Sequence, residues 1–340
     1  MENFADSLRN NLADGSQVNK AEEVVMYPPK YEKPEQSANV WLRSFISLAA
    51  YLVLGYYIFP SYKILLLITA IIVIHELGHF FAMKFFRYKD LGIFFIPLLG
   101  AYVSGSKREV SQKESAIILL AGPLPGIAIG IVFYLLHNSN PFLSLAGLPY
   151  YTIALSFILL NLINLLPVYP LDGGQLLNRV FLDEESWVSK IFVFLSIGFL
   201  IWFALFGGTK PFYPLLLFPL MMIFRMFGDS KLKSLEKKIE SSGIDMDKSY
   251  NDLTDEDYWK IRNIIIEEQP AFKDVATAPP YEYAAKEEKI MNTIESMLHR
   301  HLIQDLSIAG KIFIILLWIG AFAAPWYLEM YQAILSRFGY

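Results

Sequence analysis

Seven apolar segments, each near the length that crosses a lipid bilayer, constrain this chain more than any other feature. A helix of about 20 apolar residues spans the hydrocarbon core, and a helix satisfies its backbone hydrogen bonds internally. Of the 340 residues, 54% are hydrophobic, which is more than an ordinary soluble enzyme of this size carries. We therefore predict an all-α polytopic membrane protein. The segments are 41–60, 62–86, 115–137, 151–167, 188–206, 211–227 and 309–326.

The basic residues of the loops predict the orientation of these helices, because short loops rich in Lys and Arg stay in the cytoplasm. They follow the second and sixth segments, whereas the connection 137–149 has neither Lys nor Arg. The polar arm 1–40 and the polar stretch 229–308 then both lie in the cytoplasm. The arm has no apolar core, so we expect no cleavable signal peptide. The basic residues are Lys84, Arg87, Lys89, Lys107, Arg108, Lys113, Arg225, Lys231, Lys233, Lys237 and Lys238. Lys63 and Lys210, in very short turns on the opposite side, are weak exceptions.

Two helical patterns occupy the polar stretch between the sixth and seventh segments. Thr254 can cap a helix whose first turn is acidic, which suits the positive end of the helix dipole. Ile, Met and Leu recur at helical spacing in "EKIMNTIESMLHRHLIQDL",. We predict a cytoplasmic arm 1–40, a six-helix membrane core 41–228, a small helical cytoplasmic domain 229–308, and a seventh transmembrane helix with the C-terminus at 309–340.

The stretch 91–105, "LGIFFIPLLGAYVSG", is apolar but too interrupted for a spanning helix. Gly92, Pro97, Gly100 and Gly105 break it. We predict a re-entrant β-hairpin, which is tolerated at membrane depth only where protein buries its backbone. The alternative is an interfacial loop that lies on the membrane surface.

The second apolar segment contains His75-Glu76-Leu77-Gly78-His79. Residues i and i+4 share a helix face, so both imidazoles can bind one ion, and Glu76 can take a proton from a metal-bound water. The chain has no cysteine, so a zinc site must use His, Asp or Glu. The alternative is a pair of buried histidines in interhelical hydrogen bonds. Ionisable groups inside a membrane helix are costly and favour the functional interpretation.

Catalytic zinc usually has three protein ligands, and Asp172 is the candidate for the third. It follows a helix broken by Pro167 and Pro170 and precedes two glycines, which let the backbone turn closely. The alternative is a helix cap for the next segment. At 1.5 Å per residue, His79 and His75 lie roughly 7 and 13 Å below the cytoplasmic end of their helix. The fourth segment also ends on that side, so both motifs reach the same leaflet.

The histidine motif followed by "NLLPVYPLDG", 164–173, resembles the site-2 protease family of intramembrane zinc metalloproteases. The resemblance implies that His75, His79 and Asp172 bind one zinc ion per chain and that Glu76 is the general base that activates the zinc-bound water. It implies that Asn164 holds the substrate backbone or the oxyanion. It also implies that the hairpin pairs with an unwound substrate strand. The hairpin residues in question are Phe94, Phe95, Ile96, Pro97, Leu98, Leu99 and Gly100.

By this resemblance, the expected activity is hydrolysis of peptide bonds within or near transmembrane segments of membrane-tethered substrates. The expected location is the bacterial cytoplasmic (inner) membrane, with the active site open to the cytoplasm and the lipid bilayer around the core. The net charge of −4 gives no reason to expect a nucleic-acid partner, and no oligomeric state is predicted. One departure is Gly126 in "AGPLPG", where the family usually carries Asn.

Two other classes of function remain open on the residues alone. A membrane zinc transporter would need further His, Asp or Glu clusters along a path, and a catalytically inactive scaffold would need none of these groups. A prenyl-protein endopeptidase would use Glu as its third ligand, against the Leu-Asp-Gly pattern here. His299 and His301, spaced by two, do not share a helix face and favour a solvated surface over a metal site,.

Overall fold

The computed structural model describes residues 27–32, 39–59, 61–97, 100–107, 110–182, 186–208, 210–298 and 302–328. Helices and strands are numbered in chain order within these ranges. They are α1 (Val40–Ile58), α2 (Tyr62–Phe85), β1 (Lys89–Ile96), β2 (Gly100–Ser106), β3 (Val110–Ser111), α3 (Gln112–Ala121), α4 (Pro123–Ser139), β4 (Ser144–Leu145), β5 (Leu148–Pro149), α5 (Tyr150–Asn164), α6 (Asp172–Leu176), α7 (Trp187–Phe206), α8 (Leu217–Ser241), α9 (Asp255–Glu268), α10 (Glu287–Met297), β6 (Leu302–Ile303) and α11 (Ile308–Tyr327).

Five helical stretches in the described part of the chain are long and apolar enough to cross a membrane. They are α1, α2, the consecutive pair α3 and α4, α7 and α11. The apolar helix α5 has only 15 residues. It ends three residues before Pro167, because proline cannot continue a helix by hydrogen bonding.

The sixth predicted segment, 211–227, differs from the structure. A 3-10 turn at Tyr213–Leu216 precedes α8, which begins at Leu217 and continues to Ser241. The apolar pattern ends near Phe227, but Lys, Glu and Leu are good helix formers and extend the helix. The boundary predicted at 228 therefore falls inside a continuous helix.

The stretch 91–105 forms a β-hairpin, which confirms the predicted strand character. β1 and β2 are antiparallel, with Phe95 opposite Ala101 and Ile96 opposite Gly100. Helix α1 covers the outer edge of β1: the Phe95 amide donates to Ser47 Oγ at 3.1 Å. A Cβ at Gly92 would lie 2.4 Å from Val40 Cγ1, so glycine is needed for this close approach. Leu98 and Leu99 lie outside the described residues.

The C-terminal part of α8 and the polar region that follows it share a hydrophobic core. The Thr254 side chain caps α9, as the sequence predicts. β6 pairs in parallel with β3, and this ties the end of the region to the start of α3. The buried core residues are Leu235, Ile239, Ile244, Met246, Leu253, Tyr258, Trp259, Ile261, Ile265, Ile266, Phe272, Val275, Ile290, Ile294, Met297 and Leu298.

A buried ion pair lies at the centre of this core. Arg262 Nε donates to Glu287 Oε1 at 2.7 Å, and both side chains are 1% exposed. The Tyr258 hydroxyl donates to the same carboxylate. Burial and this hydrogen bond raise the pKa of Tyr258 well above its usual value. The Arg262 guanidinium also donates to the carbonyls of Ala276 and Glu282, so the pair fixes the loop between α9 and α10.

Glu287→Gln should destabilise this region by roughly 3–5 kcal/mol, because it leaves the Arg262 charge buried without its counter-charge. Amide hydrogen exchange in α9 and α10 of the full-length protein in detergent measures the effect. Glu267→Gln, at an exposed position of α9, is the matched control and should leave exchange unchanged. Equal protection in the two variants would contradict a structural role for the pair.

Candidate metal centre

Helix α2 places two imidazoles side by side. His75 and His79 lie one turn apart, and their Nε2 atoms are 3.1 Å from each other. Both residues are less than 10% exposed. Gly78 permits the close packing of α2 on α3, since a Cβ there would lie 1.9 Å from the Ala121 carbonyl oxygen. The helix thus turns one face of its metal-binding motif into the protein.

Asp172 reaches the same point from a later segment of the sequence. It is the first residue of α6, and its Oδ2 lies 3.0 Å from His75 Nε2 and 3.3 Å from His79 Nε2. Gly173 lets α6 pack beneath the end of α5, because a Cβ there would lie 2.0 Å from the Leu165 carbonyl oxygen. The structure therefore brings together the three residues that the sequence predicts as ligands.

The hydrogen bonds of the two rings fix which nitrogen carries the proton. His79 Nδ1 lies 2.7 Å from the Ile118 carbonyl oxygen, and His75 Nδ1 lies 2.9 Å from Asn161 Oδ1. The Asn161 amide is oriented by its Nδ2, which donates to the Phe157 carbonyl. Both oxygens are acceptors, so each Nδ1 is the donor and each neutral ring presents its Nε2 lone pair to the cluster.

This arrangement fits a cation. Two Nε2 lone pairs face Asp172 Oδ2, which is buried and has no hydrogen-bond donor. The three ligand atoms are 3.0 to 3.3 Å apart, close to the roughly 3.3 Å between ligands of a tetrahedral zinc ion with bonds of about 2.0–2.1 Å. A Cβ at Gly122 would lie 2.3 Å from His79 Nε2, so glycine keeps this space open. Among the described residues, this is the one such group of three.

The other predicted site residues lie around the cluster. Glu76 is 6% exposed and follows His75 directly in α2. Asn164 is the last residue of α5 and is partly buried. His299 and His301 lie outside the described residues.

Sequence reasoning missed Asn161, which is 1% exposed and contacts His75 directly. It lies one turn before Asn164 in an otherwise apolar helix, and a buried amide in such a helix is a signal that could have found it. Gly126 faces it: a Cβ there would lie 2.2 Å from Asn161 Nδ2. Gly126 thus leaves room for the Asn161 amide, which α5 supplies.

Trp318 was also missed as a contact of this region. Its indole Nε1 donates to the Leu165 carbonyl oxygen at 2.8 Å. Leu165 is fully buried and begins the turn that leads to Asp172. Helix α11 therefore supports the segment that presents Asp172.

Known proteins resemble part of this chain. Residues 63–145 match the model of Peptidase family M50. That range holds the whole histidine motif and ends before Asp172. The resemblance to the site-2 protease family is confirmed.

The relatives include two curated proteins. The chain is 26% identical over 185 residues to a zinc metalloprotease of Methanocaldococcus jannaschii, with 53% of each chain covered. It is 31% identical over 127 residues to Stage IV sporulation protein FB of Bacillus subtilis, covering 35% of this chain and 40% of that protein. The chain spans about half the length, or less, of these curated relatives. With its apolar helices, this relationship identifies an integral membrane protein.

A solved structure of the site-2 protease from Methanocaldococcus jannaschii is also similar, at 24% identity. The match covers 54% of this chain and 85% of the solved chain, with a TM-score of 0.39.

Asn161→Leu should weaken zinc binding by about 10–100-fold, because a hydrogen-bond acceptor that orients a metal-binding histidine contributes this much. Competition with a zinc chelator in detergent measures the affinity. Asn164→Leu, one turn away on the same helix, is the control and should leave the zinc affinity unchanged. Equal affinities in the wild type and Asn161→Leu would show that the Asn161 amide does not orient His75.

Trp318→Phe should destabilise the turn before Asp172 by about 1–3 kcal/mol, because it leaves the buried Leu165 carbonyl without a donor. Amide exchange of residues 165–176 should quicken. Trp326→Phe on the same helix is the control, since Trp326 is 73% exposed. The same exchange in both variants would argue against a supporting role for α11.

Proposed function

We propose that this chain is an intramembrane zinc metalloprotease that hydrolyses peptide bonds within or near transmembrane segments of membrane-tethered proteins. The observation that carries the proposal is the cluster of His75, His79 and Asp172, whose lone pairs converge in a buried site beside Glu76. We assign one zinc ion per chain to this cluster. The relationship to Peptidase family M50 supports the same assignment.

The chain's own groups supply the proton transfers. When bound, zinc polarises the scissile carbonyl and brings the pKa of a water molecule to about 7. Glu76 takes a proton from the attacking water and delivers it to the leaving amine. The Asn164 amide donates to the oxygen on which negative charge develops. The Nδ1 hydrogen bonds of His75 and His79 keep both rings in the tautomer that the site needs.

A substrate helix must unwind before its carbonyl can be attacked, and strand pairing would offset part of that cost. The resemblance to the site-2 protease family implies this role for residues 94–100. Helix α1 covers the outer edge of β1 through the Phe95–Ser47 hydrogen bond, which favours β2 as the pairing strand. Tyr102 of β2 is 48% exposed.

The orientation follows from the basic loops. The arm 1–40 and the region 229–308 face the cytoplasm of a bacterial cell, and the site opens toward that side of the inner membrane. The motif lies at the depth of the bonds that are cleaved because its helix is built of residues suited to lipid. This places the catalytic groups inside the bilayer, next to substrates that are themselves membrane-embedded.

Glu76→Gln tests the catalytic assignment. Membrane proteins trapped on this variant in cells are identified by mass spectrometry, and one of them then serves as the substrate for purified protein. The variant should retain zinc and lose about 10²–10⁴-fold in cleavage rate, the usual contribution of a general base. His75→Ala is the comparison and should lose both zinc and cleavage.

Full cleavage by Glu76→Gln would remove Glu76 from the mechanism. Two other results would support the alternatives. Zinc uptake into vesicles that contain the wild-type protein would support a transporter. Zinc binding without cleavage of any trapped protein by the wild type would support an inactive scaffold.

A further inference from the structure

A short segment of the N-terminal arm, Tyr27-Pro28-Pro29-Lys30-Tyr31-Glu32, lies against the polar region after α8. More than 200 residues separate the two in sequence. We call the surface that receives the segment the aromatic groove. It is formed by Tyr250, Asp255, Trp259, Tyr281 and Tyr283.

The groove forms hydrogen bonds with the backbone of the segment. The Trp259 indole donates to the Pro28 carbonyl at 2.8 Å, and the Tyr283 hydroxyl donates to the next carbonyl, that of Pro29. The groove therefore supplies donors where the segment has only acceptors. Proline has no backbone N–H, so neither proline leaves an unsatisfied donor in this contact.

The contact continues at the next two residues. The backbone N–H of Lys30 donates to Asp255 Oδ1 at 2.8 Å, and the Tyr250 hydroxyl donates to the Tyr31 carbonyl at 2.6 Å. Every backbone group in these bonds has one defined partner. The order of acceptors and donors thus matches a Pro-Pro-Lys-Tyr sequence.

The side chains of the segment are also recognised. Lys30 Nζ donates to the carbonyls of Asn251 and Leu253, each at 2.7 Å. It also lies 5.6 Å from the centre of the Tyr250 ring, where a cation is attracted to the aromatic face. A lysine ammonium satisfies this site with three donors, whereas a carboxylate would face two carbonyl oxygens and be repelled.

The two tyrosines of the segment contact groove rings at its ends. Tyr27 meets Tyr281 edge-on with ring centres 5.5 Å apart, and Tyr31 meets Tyr283 at 5.4 Å. Edge-on aromatic pairs of this kind stabilise a contact beyond the area that they bury.

Both partners of this contact are held in shape beforehand. The loop between α9 and α10, which carries Tyr281 and Tyr283, is fixed by two side chains. Arg262 donates to the Glu282 carbonyl, and Asn263 hydrogen-bonds both backbone groups of Ala278. In the segment, Pro28 and Pro29 fix their own φ angles and keep the residues before them extended. Pre-organisation of both partners lowers the entropic cost of binding.

We propose that the region 235–298 is a peptide-recognition module for extended segments of Tyr-Pro-Pro-Lys-Tyr type, and that residues 27–32 are its ligand within the same chain. Seven residues separate the end of the segment from the start of α1 at Val40. Docking therefore keeps the start of α1 within roughly 28 Å of the docked segment. The inference concerns binding alone and does not depend on the protease assignment.

Peptide binding to the full-length chain tests the proposal. In one variant, residues 27–32 are replaced by a Gly-Ser sequence of equal length, which removes the internal ligand. A fluorescein-labelled peptide of residues 25–34 should bind this variant saturably, as measured by fluorescence anisotropy in detergent. It should bind the wild type at least about tenfold more weakly, since the tethered segment competes at a high effective concentration.

Matched controls distinguish specific binding in the groove from non-specific binding of the peptide. The peptide with Lys30→Glu should not bind the replaced variant. Adding Tyr283→Phe to that variant should weaken binding about fivefold, the effect of one lost hydrogen bond. Adding Tyr213→Phe, at an exposed tyrosine outside the groove, should change nothing.

Hydrogen exchange in α9 establishes that each variant is folded. A folded replaced variant that fails to bind the peptide would overturn the proposal. Equal binding by the wild type and the replaced variant would also overturn it, and so would equal binding of the Lys30→Glu peptide.

Discussion

The structure depends on one electrostatic constraint: three lone pairs meet in a buried site inside an apolar protein. His75 and His79 cannot avoid each other on one helix face, and Asp172 closes the group from below the end of α5. Buried polar atoms of this kind are stable only when a proton or a cation lies between them. Because both Nδ1 atoms donate elsewhere, the ring protons are not available to the cluster. A cation fits between these lone pairs, and Gly122 leaves free the space beside His79 Nε2 that a side chain would fill.

Much of the membrane architecture could be predicted because lipid imposes a strict rule on length and polarity. The observed ends of α1, α2, α7 and α11 lie within about two residues of the apolar segments, a usual margin for helix ends,. The rule fails at α8, where hydrophobicity ends but helix propensity continues. The proximity of Asp172 to His75 and His79 could also be predicted, since the second and fourth apolar segments are expected to end on the same side of the membrane.

What could not be predicted are contacts that join residues far apart in sequence. Asn161 was passed over because Asn164 carries the family motif, and only packing shows which amide faces His75. Gly126 looked like the loss of a polar group, whereas in the structure its lack of a Cβ leaves room for the Asn161 amide. The Trp318 hydrogen bond is likewise invisible in sequence, because a tryptophan in an apolar helix is equally typical of lipid contact.

Other long-range contacts connect the polar region to the membrane core at several places. Helix α8 runs from one into the other, and β6 pairs with β3 just before α3, the helix whose Ile118 binds His79. At the other end, α1 covers β1 and is tethered through residues 33–39 to the docked segment 27–32. Helix α1 packs mainly on the hairpin. The docked segment is therefore joined, through one short stretch of chain and one helix, to the strand pair on which substrate binding is proposed to depend.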